Sequence, residues 1–455
     1  MPTPGSMWNL MIKSFVNKYA MEREKIVVGL DIGTTKICAI VGRKNEYGKL
    51  EVLGMGKAVS DGVIRGIVSN IDKTIFAIEK AVEEAEAQSG INIRVVNVGI
   101  AGQHIRSTIH HGSIMRQSSE DEITVEDINR LTNDMYKIVI PPGTEIIHVM
   151  PQDYYVDYEE GIKDPVGMTG VRLEADYHVI TAQTNAISNI NKCVRRAGLE
   201  IENLILEPLA SSLSVLNEEE KEAGVCLVDI GGGTTDIAVF HEGIIRHTAV
   251  IPLGGNIITN DIKQGCMVMQ HQAELLKVKF GKAIAEEANP NEIVSIPGLR
   301  NRAPKEISIK NLAHIIEARM QEVIELVHTE IITSGYENRL AGGIVITGGG
   351  ALMQNLKQLV EYMTGMETRV GYPNEHLGKS KVEAVKSPMY ATSVGLVLSG
   401  FRAVDERENR YMEGRSDGHA FRKDKSRDRS SDFFKKIIDK TKGLLIDDID
   451  GREDY

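Results

Sequence analysis

The stretch Asp229-Ile230-Gly231-Gly232-Gly233-Thr234-Thr235-Asp236 has the residue types of an anion cradle. Three glycines let the backbone come close to a ligand, and their N–H groups, with the Thr234 and Thr235 hydroxyls, can hold phosphate oxygens. Asp229 and Asp236 repel phosphate, so they make sense with a hard cation between, such as a Mg²⁺ that keeps its waters. Alone, such a stretch is more often an ordinary hairpin turn. A second copy sharpens it: Asp31-Ile32-Gly33-Thr34-Thr35-Lys36 has the same acid, glycine and threonine pair. Asp31 and Asp229 then form a matched pair that meets Mg²⁺ through water. A third run, Gly348-Gly349-Gly350, would let a flat base lie against bare backbone.

Each cradle sits between two short apolar runs, 27–30 and 37–41 in one copy, 225–228 and 237–240 in the other, so each reads as a β-hairpin. The third glycine run ends a buried-type strand at 344–347. Strands are also expected at 50–59 and 94–100. Ile71, Ile75, Ile78, Val82 and Ala85 make one stripe of a helix that Gly90 stops. Residues 103–182 break this pattern. Thr124 to Asp127 opens a helix expected to run through Val139, and strands follow at 145–150, 152–158 and 177–182. Pro208 suits the first turn of a helix, and Ala210, Ser211 and Ser212 would allow close helix packing. Glu274 and Lys277 share a helix face, either as an exposed ion pair or as ligand contacts. In 281–340 a polar loop with Pro290, Pro297 and Pro304 precedes a long helix with Leu312, Ile316, Met320, Val323 and Val327 inward.

The chain has 455 residues, room for two to four domains. Its 53 basic and 64 acidic residues leave a net charge of −11, which argues against nucleic acid as a partner. Cys38, Cys193, Cys226 and Cys266 show no C-x-x-C spacing and read as buried thiols in a reducing compartment. No run approaches about 18 apolar residues, so no transmembrane helix is expected.

Residues 1–24 carry Trp8, Met11, Ile12, Phe15 and Tyr19 at helical spacing; they read as an unstructured extension rather than a second amphipathic helix. From about 401 to 431 the chain is polar and reads as a disordered linker. In 432–447, Phe433, Phe434, Ile437, Ile438, Leu444 and Leu445 share one helix side, at about 100° per residue, and Lys435, Lys436, Lys440 and Lys442 the other. A basic amphipathic helix on a tether is the pattern of an anchor on an anionic membrane surface. Asp447, Asp448 and Asp450 count against it.

Taken together, the three glycine elements resemble the two phosphate motifs and the adenosine motif of the actin, Hsp70 and sugar-kinase superfamily. The segments 206–213 and 387–396 resemble its two connecting helices. The resemblance implies an α/β, actin-like fold, ribonuclease H-like and duplicated, with two halves around a cleft for ATP and Mg²⁺. It places Glu274 and Lys277 over the ribose and adenine. Within the superfamily, the segments 167–174, 177–181, 252–256 and 259–262, with the linker and terminal helix, resemble the FtsA family of bacterial cell division proteins.

That resemblance divides the chain into subdomain 1A at 25–102 and 183–222, an inserted 1C-type subdomain at 103–182, subdomain 2A at 223–280, subdomain 2B at 281–340, and a segment at 341–400 that ends 2A and returns to 1A. It implies head-to-tail self-assembly, binding of the FtsZ C-terminal tail by 2B, recruitment of other divisome proteins through the insert, and a peripheral place on the cytoplasmic side of the membrane at the division site. Glu207 is the candidate for positioning a water on the γ-phosphate; an acid that simply favours a helix start is the alternative. At most slow ATPase activity is expected. A pilus-assembly protein like PilM, or a metabolic kinase of the same fold, is the competing reading.

Overall fold

The computed structural model describes residues 25–116, 120–298 and 303–416, of which 409–416 by backbone alone. The extension at 1–24, the linker from 417 and the amphipathic helix at 432–447 lie outside the described residues. The chain divides into two units between Arg402 and Ala403. The elements that shape the candidate site belong to the first.

One chain path is used twice. In the first half, β1 (Ile26–Ile32) and β2 (Lys36–Lys44) form the hairpin expected around the first cradle, and β3 (Leu50–Val59) extends it. A small ribbon, β4 (Val63–Ile64) and β5 (Ile67–Val68), leads to helix α1 (Ile71–Ser89). Asn70 caps the start of α1 by accepting from the Lys73 N–H, and Gly90, left-handed at φ 74°, ends it. Its buried face carries the expected Ile75, Ile78, Val82 and Ala85. β6 (Val95–Ile100) then pairs parallel with β1.

An inserted subdomain follows: β7 (Arg106–Met115), α2 (Val125–Met135), β8 (Thr144–Val156), β9 (Glu159–Ile162) and β10 (Arg172–Gln183). Its strands make an antiparallel sheet in the order β7-β10-β8-β9. Leu131, Leu173, Tyr177 and Val179 form its own core beneath α2. Helix α2 ends at Met135, short of the expected Val139, and β7 had no sequence counterpart. The strands expected at 145–150 and 152–158 are one strand, β8. Pro151 is tolerated inside it because β9 pairs only with Tyr154 and Val156, so the edge beside Pro151 asks for no N–H.

The first half closes with α3 (Thr184–Arg196), β11 (Glu200–Leu206), α4 (Glu207–Val215) and α5 (Glu218–Ala223), its sheet running β11-β6-β1-β2-β3. The second half repeats this. β12 (Val225–Ile230), β13 (Thr235–His241) and β14 (Ile244–Ile251) are antiparallel; α6 (Gly255–Gly265), α7 (Gln270–Phe280), the ribbon β15 (Ile293–Ile296) with β16 (Lys305–Ser308), and α8 (Ile309–Thr333) come next. Then β17 (Ile344–Thr347), α9 (Leu356–Thr364) and β18 (Thr368–Val370) complete it, and α10 (Ala391–Ser416) returns to the first sheet, with Val394, Val397 and Phe401 in one core with Val27, Ile40 and Leu50. The order β14-β13-β12-β17-β18 is that of the first sheet, strand for strand. β12 is buried on both faces, as its unbroken apolar run requires.

Ile258 and Ile262 of α6 share one core with Val228 and Ile346 of the second sheet and with Leu312 and Ile316 of α8, in the 281–340 segment. The loop there also contains the β15–β16 ribbon. The linker expected from 401 is helical to Ser416: Ala403, Glu406, Arg407, Glu408 and Met412 are strong helix formers, and no proline interrupts them.

Candidate functional site

The hairpins place the paired acids in matching register. Asp31 opposes Cys38 and Asp229 opposes Asp236, each one step before the last pair of its hairpin. The loops meet tip to tip. A Cβ on Gly232 would stand 2.4 Å from Thr35 Cγ2, and one on Gly233 would stand 2.6 Å from Thr34 Oγ1. Only glycine permits this approach.

Beside the joined tips lies a cavity of about 410 Å³, within the roughly 300–1,000 Å³ usual for small-molecule sites. It is lined by Asp31, Gly33, Thr34, Thr35, Lys36 and Glu207 from the first half, and by Asp229, Gly231, Gly232, Gly233, Thr234, Asp236, Glu274, Lys277, Gly348, Gly349 and Gly350 from the second. Thr235 is the exception. It starts β13, where side chains alternate, and its hydroxyl donates to the Leu253 carbonyl (2.8 Å) while Thr234 and Asp236 face the cavity. Around Gly349 a Cβ would meet nothing within 4 Å, so this backbone is bare toward the open space, whereas one on Gly348 would strike Asp229 Oδ1 at 2.3 Å.

The acids are held from helices distant in sequence. Ser393 donates to Asp31 (2.9 Å), and Ser211 (2.6 Å) and Thr392 (3.1 Å) donate to Asp229. Thr234 donates to Asp236 Oδ2 (2.8 Å), but Asp236 Oδ1 is buried with no partner. Burial raises the Asp229 carboxyl against these donors. Burial, then the adjacent Asp229, pushes Asp236 up to about 7. Burial and then Asp31, Asp236 and Asp229 drive Glu207 well above the usual range. Lys36 lies 3.6 Å from Asp31; burial would lower its ammonium, but Asp31 and its neighbours leave it raised.

Three acids held uncomfortably together, one with an orphaned oxygen, fit a missing positive charge. Among the described residues no cluster of three or more His, Cys, Asp or Glu is arranged to hold a metal directly. Asp31 and Asp229 are the residues that would hold such a cation through its waters.

Glu274 and Lys277 form the ion pair of one sequence reading, although Lys277 is only 12% exposed. They pair at 2.8 Å, and both line the cavity. Lys277 also donates to the Gly255 carbonyl (2.9 Å) and to Thr259 (2.9 Å), which fastens α7 to the start of α6. The sequence reading missed Ser211, Thr392 and Ser393 as partners of the acids. The available signal was the small hydroxyl residues that follow Pro208 and Pro388, of which only Ser211 was noted there, for helix packing.

Two copies of one five-stranded sheet, closing hairpin loops over a shared cavity, define an actin-like protein. The fold is similar to that in a PilM–PilN type IV pilus biogenesis complex, with a TM-score of 0.61 at 15% identity over 82% of this chain and 98% of that one. Residues 226–395 match the model of cell division protein FtsA, and 102–181 match that of the SHS2 domain inserted in FtsA. Relatives named cell division protein FtsA include one from Pseudomonas aeruginosa, 43% identical over 87% of this chain and 94% of its own length, and one from Escherichia coli K12, 37% identical over 83% and 90%. The chain belongs to the FtsA family of cell division proteins.

Proposed function

We propose that this chain is an ATP-binding, actin-like division protein that polymerises, ties the FtsZ ring to the inner face of the cytoplasmic membrane and recruits later divisome proteins. The observation that carries the nucleotide part is the tip-to-tip meeting of the two cradles: one polyphosphate could be gripped by both halves at once. The glycine loops would hold the phosphates, with Asp31, Asp229 and Asp236 around a hydrated Mg²⁺ and Gly348 to Gly350 beside the base. Mg²⁺ would supply the charge that the buried acids lack toward phosphate. Family membership supports the division role over the pilus reading, since the PilM likeness bears on fold alone.

The membrane part rests on the sequence pattern at 432–447. No helix among the described residues is long and apolar enough to cross a membrane, so attachment would fall to the terminal amphipathic helix. A filament multiplies such weak anchors into firm attachment. The test is flotation with anionic liposomes and Mg·ATP, comparing the full chain with one ending at Ser430. Flotation of the full chain alone is the expected result. Flotation of both moves the anchor to another segment, and flotation of neither overturns the tether.

A further inference from the structure

Strand β8 of the insert carries two bulges, and each adds one residue to β8 opposite β10. One falls between the pairs Ala175–Tyr154 and Tyr177–Pro151, the other between Ile180–His148 and Thr181–Ile146. Each bulge flips the faces of the strand. Outside them Ile146, Tyr154 and Val156 point into the insert's own core, and between them Val149 does. His148, Met150 and Gln152 are thereby turned the other way, toward the two halves.

All three are engaged there. His148 Nε2 accepts from the Leu206 N–H of the first half (3.0 Å). Met150 packs against apolar clusters of both halves. Gln152 Nε2 donates to the Ile245 carbonyl of β14 in the second half (2.6 Å). Beside them, Asp153 pairs with the buried Arg246 of β14 (2.5 Å), and His178 and Ser107 bond Thr248 at 3.1 Å each.

The geometry points to β8 as a staple across the seam between the halves, with His148 as a positioning residue for Glu207. Leu206 is the residue at which β11 ends and α4 begins, and Glu207 follows it. β11 is the edge of its sheet, so no strand takes the Leu206 N–H; the insert takes it instead. Only an unprotonated Nε2 can accept from an amide. Burial holds the ring in that form by lowering its pKa to about 4. Through this contact the insert sets the backbone that aims Glu207 into the cavity, and through Gln152 the same strand holds the opposite wall. The part that concerns Glu207 rests on the nucleotide reading; the staple does not.

The test uses the full chain. His148→Phe keeps a ring of similar size and removes the acceptor; His148→Gln keeps an acceptor. Amide hydrogen exchange at Leu206 should rise about tenfold in the Phe variant, since its N–H loses its partner, and stay within about twofold of the parent in the Gln variant. Gln152→Leu, which cuts the other end, should still speed exchange at Leu206 about threefold, because one strand couples the two. Parent-like exchange in the Phe variant, or equal exchange in Phe and Gln, overturns the role of His148. An unchanged Leu206 in Gln152→Leu overturns the staple, and this variant decides alone if the Phe variant does not fold.

A second readout concerns Glu207. Single-turnover ATP hydrolysis should fall about tenfold in the Phe variant and recover in the Gln variant, while affinity for a fluorescent ADP analogue changes less than about twofold. Equal loss of affinity and turnover overturns the positioning of Glu207. Failure of the parent to bind nucleotide overturns the nucleotide reading and leaves the exchange result to decide the staple.

Discussion

Ser211 and Ser393 are matched across the two sheets: each sits on a helix that follows one sheet in the chain, packs against the other sheet, and donates to the hairpin acid of that other sheet. Ser211, on α4 after the first sheet, donates to Asp229 (2.6 Å), and Ser393, on α10 after the second, donates to Asp31 (2.9 Å). Both serines are buried. Replacing either by alanine removes a donor from a buried carboxylate and should cost about 1.5–3 kcal/mol. Urea unfolding of Ser393→Ala and Ser211→Ala measures it. A cost below about 0.5 kcal/mol in both would mean that water replaces the hydroxyls without loss.

The two helices cross where Gly395 meets Ala210. A Cβ on Gly395 would lie 1.8 Å from the Ala210 carbonyl oxygen, which is backbone and cannot swing aside. Gly395→Ala must separate α4 from α10 and should destabilise the protein by about 3 kcal/mol or more. The midpoint of urea unfolding is the measurement.

Glycines at the cavity should separate folding from binding. Gly232→Ala drives a methyl group into Thr35 of the opposite loop, so it should lower affinity for a fluorescent ATP analogue at least about tenfold by parting the tips. Gly349→Ala meets no protein atom within 4 Å. Its stability should match the parent within about 0.5 kcal/mol, yet its affinity should fall severalfold if a base lies against that backbone. An unchanged affinity removes the base from Gly349.

The raised carboxyls make a signed prediction for pH. Asp236 has its proton held more tightly in the folded state, at about 7 against an ordinary 3.8. Stability from this group is then fully present below the unfolded value and is lost as pH rises through about 7. Metal-free protein should become less stable from pH 5 to pH 8. Mg·ATP should flatten that slope, because a cation then does what the proton did. Asp236→Asn should flatten it without ligand and weaken Mg·ATP binding. A slope identical in the parent and Asp236→Asn would assign it to other groups.

What the sequence made legible is local. The two cradles, their flanking strands and the stripe of α1 depend on residues a few positions apart, and the structure has them as hairpins and helix. The partners of Asp31 and Asp229 were hidden because Ser393 is 362 positions from Asp31; nothing within a window of sequence marks such a pair. Thr235 was misread for a different reason. Composition names a hydroxyl, but strand parity decides where it points, and parity is set where the loop ends and β13 begins. The same applies to β8: two inserted residues reverse its faces, and the alternation read from sequence breaks into pieces that look like two strands. Past Phe401, low apolar content suggested disorder, although the same residues favour helix.

Because both halves follow one strand order, the turn after β6 and the turn after β17 are the same corner in two copies. After β17 that corner is the bare glycine run beside the cavity. After β6 it is Ala101-Gly102, where only Ala101 touches the cavity and the inserted subdomain begins. Duplication left this architecture with a redundant corner. One copy keeps its bare glycines at the cavity, and the other accommodates an entire module, which through His148 also holds the Leu206 turn beside that cavity. A module can thus be added next to the cleft without occupying its glycine corner, which a single-copy fold with one such corner does not allow.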